Sequence, residues 1–194
     1  MNRISQSPAS TGGARPRDAD ELIEALDATG SPRPIGKLEA HERSIRHRAI
    51  SVFVFRRGEL LLQQRSATKY HSPNLWANTC CSHPRWGEDV EACAARRLRE
   101  EMGFSLPLTP FGIVEYQAQV GHLYEHEVVH RFHGIVTGSG PDLMPDPDEV
   151  QDAAWMSLSD IAADIRDRPG RYAPWFVIYM REHIDVLRML AHAS

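Results

Sequence analysis

The sequence predicts an α/β or α+β fold, with one domain over residues 21–194 behind a disordered leader at 1–20. Three observations lead there. Short β-branched and aromatic runs are interrupted by segments of helical character, the pattern of a sheet with helices packed on it. A chain of 194 residues can bury one sizeable core but not two comfortable ones. No internal repeat divides it, and 42% hydrophobic with 25% charged residues is ordinary for a globular protein.

The leader, MNRISQSPASTGGARPRDAD, has no apolar core and is no secretory signal. Its Ser and Arg residues suit a short organellar leader, its acidic end does not, and disorder is the better reading. ELIEAL then reads as a short strand entering the Gly/Pro turn DATGSPR. KLEAHERSIRH reads as a connecting segment that carries His41 and His47. RAISVFVF and LLLQQR are strands joined through RRGE into a hairpin. From Ser66 to Gly87 the chain is irregular and dense in Pro, Asn, His, Trp and Cys. A loop of that length in a compact domain points to function.

EDVEACAARRLREEM has helix-forming composition, an acidic first turn and Gly103 to end it. Arg96–Glu100 and Arg97–Glu101 are spaced to pair along it. FGIVEYQAQV and HEVVHRFHGIV are strands, GSGPDLMPDPDEV an acidic turn, and AAWMSL a further strand. Ser157 or Ser159 caps the short helix SDIAADI. The last element, PWFVIYMREHIDVLRML, puts Val177, Met180, Ile184, Leu187 and Ala191 at helical spacing.

Charge and composition narrow the function classes. With 22 basic and 26 acidic side chains, net −4, nothing draws the chain in bulk to nucleic acid or an anionic membrane. A phosphate ligand must therefore be met by local cations. No run of about 18 apolar residues is present to span a membrane. Three cysteines, two of them adjacent, make a poor disulfide framework and suit a reducing, cytoplasmic location. No obligatory protein partner is evident.

The segment with most chemistry in it is SHPRWGEDVEACAARRLREEMGF, Ser82 to Phe104. Glu88, Arg96, Glu100, Glu101 and Gly103 fall in the register of the Nudix box. That spacing gives a loop–helix unit whose carboxylates share a face and can hold Mg²⁺ against a diphosphate. Ser82 stands where the box has its first Gly, and Arg97 where it has a Glu. Arg97 removes a ligand that Nudix hydrolases use and adds a cation suited to phosphate oxygens. On the helix alone, a solvated surface with ion pairs is an equally good reading.

Period two adds a second constellation. If extended, Cys81 and His83 share a face, as do Glu125 and Glu127, while Cys80 points the other way into the core. His41 and His47 can join them only through the fold. Three imidazoles with two carboxylates suit Zn²⁺ or Mn²⁺, although any one of these histidines alone is more often a surface residue. Cys93 reads as a buried structural thiol.

WANTCC, NTCCSHP and LYEHEV, in order and spacing with the box, resemble type I isopentenyl-diphosphate isomerase, a branch of the Nudix fold. The resemblance runs from about Lys37 to Trp175. It implies a mixed β-sheet flanked by helices, and interconversion of isopentenyl and dimethylallyl diphosphate for isoprenoid synthesis. It assigns one Mn²⁺ or Zn²⁺ to His41, His47, His83, Glu125 and Glu127, and a Mg²⁺, bound with the substrate diphosphate, to Glu101. It makes Lys37, Arg65, Lys69 and Arg97 the anion partners and sets Trp76 and Trp175 near the alkene, where aromatic faces stabilise a carbocation. His71, His122, His126, His130 and His133 receive no role.

The chemistry asks for two proton-transfer groups, because moving a double bond adds a proton at one carbon and removes another elsewhere. Cys81 and Glu127 are the candidates. In the forward direction Glu127, assisted by Tyr116 and the metal, is expected to protonate the terminal methylene, and Cys81 to remove the second proton. Two other readings compete: a Nudix hydrolase of a nucleoside diphosphate derivative, and a non-catalytic diphosphate-binding module. Arg97 argues against the first, and retention of Cys81, Glu101 and Glu127 together against the second.

Overall fold

The computed structural model describes residues 21–138 and 140–194; the leader expected to be disordered lies outside the described residues. In chain order the elements begin with β1 (Leu22–Leu26), β2 (Pro32–Gly36), α1 (Lys37–Glu42), β3 (His47–Arg56) and β4 (Glu59–Arg65). Next come β5 (Trp76–Ala77), β6 (Cys80–Ser82), α2 (Val90–Met102), β7 (Thr109–Val120) and β8 (Leu123–Ile135). The chain ends with β9 (Val150–Ser157), α3 (Leu158–Asp167), α4 (Pro174–Glu182) and α5 (Ile184–His192).

β3 organises the rest. Its side chains alternate across the sheet. Ile50, Val52 and Val54 pack with Cys93, Ala94, Leu98 and Met102 of α2. Phe53 and Phe55 pack on the opposite face with Ile161, Phe176, Tyr179 and Leu187 from α3, α4 and α5. A strand covered on both faces is apolar almost throughout, as RAISVFVF is. β8 lies parallel to β3, whereas β1, β4 and β6 pair with it antiparallel, so the sheet is mixed. β9 extends it beyond β4 and β7 beyond β8.

α2 forms where its signals placed it. The Asp89 side chain accepts from the N–H groups of Glu91 and Ala92, and Gly103 closes the helix in the left-handed conformation at φ 79°. Arg96 bonds Glu88 at 2.6 and 2.7 Å and Glu100 at 2.9 Å, tying the preceding loop to the helix. Ser157, rather than Ser159, caps α3 by accepting from Asp160 N–H.

Several elements differ from their sequence reading, among them β5 and β6, short strands paired with β4 and β3 inside the stretch 66–87 that was read as irregular. Residues 37–42 are a helix instead of a connection. They escape a hydrophobic pattern because the buried face is Lys37, Ala40 and His41. Pro32–Gly36, read partly as turn, is an edge strand that among the described residues pairs only with β1, a place where proline's missing N–H is tolerated. The final helix is two, broken at His183, whose φ of −127° is not helical. No helix among the described residues is long and apolar enough to cross a membrane.

Candidate active site

At one end of β3 the apolar core gives way to a polar cluster, and strand register dictates who meets whom. His47 opens β3 beside Glu127 on β8, and Glu127 faces Tyr116 on β7. Ser51, two pleats along, lies opposite Cys81 on β6. α1 brings in His41 from above. One ligand atom from each of His41, His47, His83, Glu125 and Glu127 lies within 4.8 Å of all the others, and all five residues are buried.

The donor set fits a divalent ion. His41 Nδ1 lies 2.7 Å from Lys37 O and His47 Nδ1 lies 2.6 Å from Ile45 O. A carbonyl only accepts, so in both rings Nδ1 carries the proton and Nε2 presents a lone pair inward. His41 Nε2 is buried without a hydrogen-bond partner, 3.4 Å from Glu125 Oε2. His47 Nε2 faces His83 Nε2 at 3.2 Å, and His83 Nε2 also meets Glu127 Oε1 at 2.8 Å. These nitrogens and oxygens converge with too few protons to satisfy one another, which is what a cation corrects.

The electrostatics follow from that crowding. Burial, with the neighbouring Glu127 charge, raises the Glu125 carboxyl to about 7 despite His41. Burial also acts upward on Glu127, but hydrogen bonds from His47 and His83 outweigh it and hold this carboxyl well below its ordinary value. Burial drives His83 down to about 3 against the pull of Glu127. The Tyr116 hydroxyl donates to Glu127 Oε2 at 2.5 Å, and burial beside that carboxylate keeps the phenol protonated far up the scale.

Cys81 faces the same cavity. Its thiol donates to Asn78 Oδ1 at 3.0 Å, and Asn78 Nδ2 donates to Val52 O and Cys80 O, which fixes the amide's orientation. Ser51 Oγ stands 3.5 Å from the sulfur and 3.2 Å from the Tyr179 hydroxyl. Burial pushes the Cys81 thiol up to about 12, against the hydrogen bonds of Ser51 and Asn78. Cys80 points the other way into the core, and Cys93 is buried under α2.

The cavity, with the open space at its mouth, comprises about 440 Å³ free of atoms. Lys37, Arg65, Lys69 and Arg97 line it together with Cys81, Tyr116, Glu125, Glu127 and Trp175. Arg65 lies over the Trp175 ring at 5.4 Å. Glu149 reaches in between Lys69 and Arg97, pairing with both, at 3.2 Å to Arg97. Arg97 also holds Glu101 at 2.9 Å, and Gln63 donates to the other Glu101 oxygen at 3.1 Å. Four expected residues stand outside this lining: His41 and His47, which belong to the adjoining ligand cluster, and Glu101 and Trp76. Glu101 is buried beneath Arg97, and Trp76 is packed in the core cluster that also contains Trp175.

The NUDIX domain model matches residues 45–176. Isopentenyl-diphosphate Delta-isomerase of Cereibacter sphaeroides is 50% identical over 167 residues, covering 85% of this chain and 93% of that protein. The Rhodobacter capsulatus protein of the same name is 47% identical, covering 87% and 96%. The chain belongs to the isopentenyl-diphosphate isomerase branch of the Nudix family. Solved structures agree on the fold alone. A Deinococcus radiodurans protein has a TM-score of 0.67 at 16% identity, covering 83% of this chain and 98% of its own. A MutT protein of Methanosarcina mazei has a TM-score of 0.57 at 19%, covering 73% and 94%.

Within this Nudix frame, the sequence reading omitted four residues now at the site: Ser51, His71, Asn78 and Glu149. Ser51 did carry a signal, as the one hydroxyl inside an otherwise apolar strand. His71 carried none, because a loop has no period. It stacks on His41 with ring centroids 5.3 Å apart, and burial and the Arg65 charge hold it well below the usual histidine range. His122, His126, His130 and His133 stand outside both the metal cluster and the cavity lining.

Proposed function

We propose that this chain interconverts isopentenyl diphosphate and dimethylallyl diphosphate, as the name of its relatives states. The observation that carries the reading is one cavity with the Cys81 thiol and the Glu127 carboxyl among its walls, together with four cations. A nonpolar C₅ group has nothing to offer four cations, whereas the diphosphate attached to it does. Lys37, Arg65, Lys69 and Arg97 bind that end, and the binding energy orients a small prenyl group between the proton-transfer residues. Trp175 walls the alkene end and Trp76 backs it.

In the reaction a proton is added at one alkene carbon and a tertiary carbocation forms. A second proton then leaves from the carbon on the other side. With the proton on Cys81 and Glu127 ionised, the pair is set for the dimethylallyl-to-isopentenyl direction. Cys81 protonates the carbon next to the diphosphate-bearing one, and Glu127 takes a methyl proton. The forward direction begins with the proton on Glu127, where Tyr116 holds the carboxyl in place. His41, His47, His83, Glu125 and Glu127 would hold a divalent ion, Mn²⁺ or Zn²⁺ by its ligands, whose positive charge would tune Glu127. Glu101, held here by Arg97 and Gln63, would supply a carboxylate to the Mg²⁺ that accompanies the substrate diphosphate. Three free thiols suit a cytoplasmic location.

A hydrolase would need a carboxylate where Arg97 stands, and Arg97 is engaged with Glu100, Glu101 and Glu149. Proton NMR in deuterated water, with isopentenyl diphosphate, Mg²⁺ and Mn²⁺, separates the readings. Isomerisation gives dimethylallyl signals with deuterium incorporated and no free phosphate. Phosphate release, or unchanged alkene signals, overturns the assignment.

A further inference from the structure

We propose that His71 is the positioning residue that fixes Glu125 for the metal and joins the metal end of the cavity to its aromatic wall. The inference rests on the metal role proposed above and adds a residue to it. His71 Nδ1 lies 3.5 Å from Glu125 Oε1 and, although buried, has no hydrogen-bond partner. The other oxygen of the same carboxylate, Oε2, faces His41 Nε2 at 3.4 Å. The two oxygens of Glu125 are thus divided between two imidazoles. Oε1 is the carboxylate oxygen that His71 Nδ1 approaches, so an N–H there has this acceptor within reach, while Oε2 stays directed at the converging ligand atoms. Engagement of Oε1 by that N–H limits rotation of the buried carboxylate about its terminal bond, which is what a metal ligand needs from its supporting groups.

The same ring does two further things. It stacks nearly parallel on His41, at 25°, and meets Trp175 edge-on with centroids 5.9 Å apart. Its own backbone carbonyl accepts from Arg65 Nη2 at 3.3 Å. One loop residue therefore touches a metal carboxylate, a metal histidine, the alkene wall and a diphosphate cation. His71 also lines both the cavity and an outer cleft between Tyr70–Leu75 and the β7–β8 turn, and so stands between them.

The test is a Mn²⁺ titration of the EDTA-stripped full chain, with free Mn²⁺ read by its EPR signal. His71→Phe keeps the ring but loses the N–H; His71→Asn keeps an N–H donor at a similar distance from the backbone. We expect His71→Phe to weaken Mn²⁺ binding about 10- to 100-fold and His71→Asn to stay within about threefold of wild type. Binding of Mg²⁺-pyrophosphate should be little changed in either. Wild-type Mn²⁺ affinity in His71→Phe overturns the proposal, as does an Asn variant as weak as the Phe variant, since packing alone would then explain the loss. His71→Leu replaces the Phe variant if the latter does not fold. A wild-type chain that binds no Mn²⁺ removes the metal reading as well, so the two failures are distinguishable.

Discussion

Glu127 is held from two sides: the Tyr116 hydroxyl on Oε2, and the imidazoles of His83 and His47 on Oε1, at 2.8 and 3.7 Å. A side chain held this firmly can deliver or accept a proton at a defined atom without searching for its geometry. Glu127→Gln keeps the shape and removes the titrating oxygen. Turnover in the deuterium-exchange assay should fall by about 10²- to 10⁴-fold. The affinity for Mg²⁺-pyrophosphate, which reports only on the cationic end, should change little. Near-normal turnover in this variant would remove Glu127 from the chemistry. At this scale the sequence was readable wherever a strand imposed its period. Glu125 with Glu127, and Cys81 with His83, follow from spacing of two, and the structure brings all four to one cavity. His71 and Glu149 sit on irregular backbone, where spacing says nothing about direction, and only the fold delivers them.

The elements divide by the same logic. β3 and β4 declared themselves because their burial is apolar, and α2 because it carries both caps. α1 was missed because only Ala40 of the face it buries joins an apolar cluster, with Ile23, Ala25 and Ile35, while Lys37 and His41 are polar residues buried at the site. A hydrophobic pattern cannot report a helix whose inward face is functional. α2 has a consequence beyond its own stability. Past its end, Met144 N–H donates to Met102 O at 3.2 Å and Asp146 N–H to Glu101 O at 3.0 Å, so the following segment is laid along the helix terminus and carries Glu149 to Arg97. Gly103 allows this approach. A Cβ there would stand 2.3 Å from Met144 O, at a φ of 79° that side-chain-bearing residues avoid. Gly103→Ala should therefore cost about 2–3 kcal/mol of unfolding free energy in a urea titration. It should also weaken pyrophosphate binding through the displaced Glu149 segment. A loss below about 0.5 kcal/mol would mean that residues 141–146 yield freely, and the coupling between helix end and cavity would go with it.

For the molecule as a whole, the question is what holds the α3–α5 layer on the sheet, since that layer supplies Trp175 and Tyr179. Part of the answer is apolar: Ile161, Phe176, Tyr179 and Leu187 are fully buried against Phe53, Phe55 and Leu62. The other part is one carboxylate. Asp164 on α3 accepts from the Tyr172 hydroxyl at 2.8 Å and from Arg171 at 2.9 Å, and it pairs with Arg168. Tyr172 in turn bridges to Trp76, and Ala173 N–H donates to Trp76 O at 2.9 Å, one residue before α4 begins. Burial acts upward on the Asp164 carboxyl, but the Tyr172 and Arg168 hydrogen bonds outweigh it and hold it below the ordinary aspartate value of 3.8. A depressed folded-state value contributes stability that is present above the unfolded value and is lost as pH falls through the folded one. Arg168 is 63% exposed and Arg171 38%, so solvent screens both, and the Tyr172 bond carries most of the effect. Asp164→Asn should then cost about 1–2 kcal/mol at pH 7. The gap to wild type should narrow as pH falls below about 4, where the wild-type carboxyl itself takes up a proton. Urea titrations of both proteins at pH 7 and at successively lower pH measure it directly. A gap that stays constant through that range would mean that the Asp164 charge contributes nothing and that its side chain acts only as a neutral hydrogen-bond acceptor.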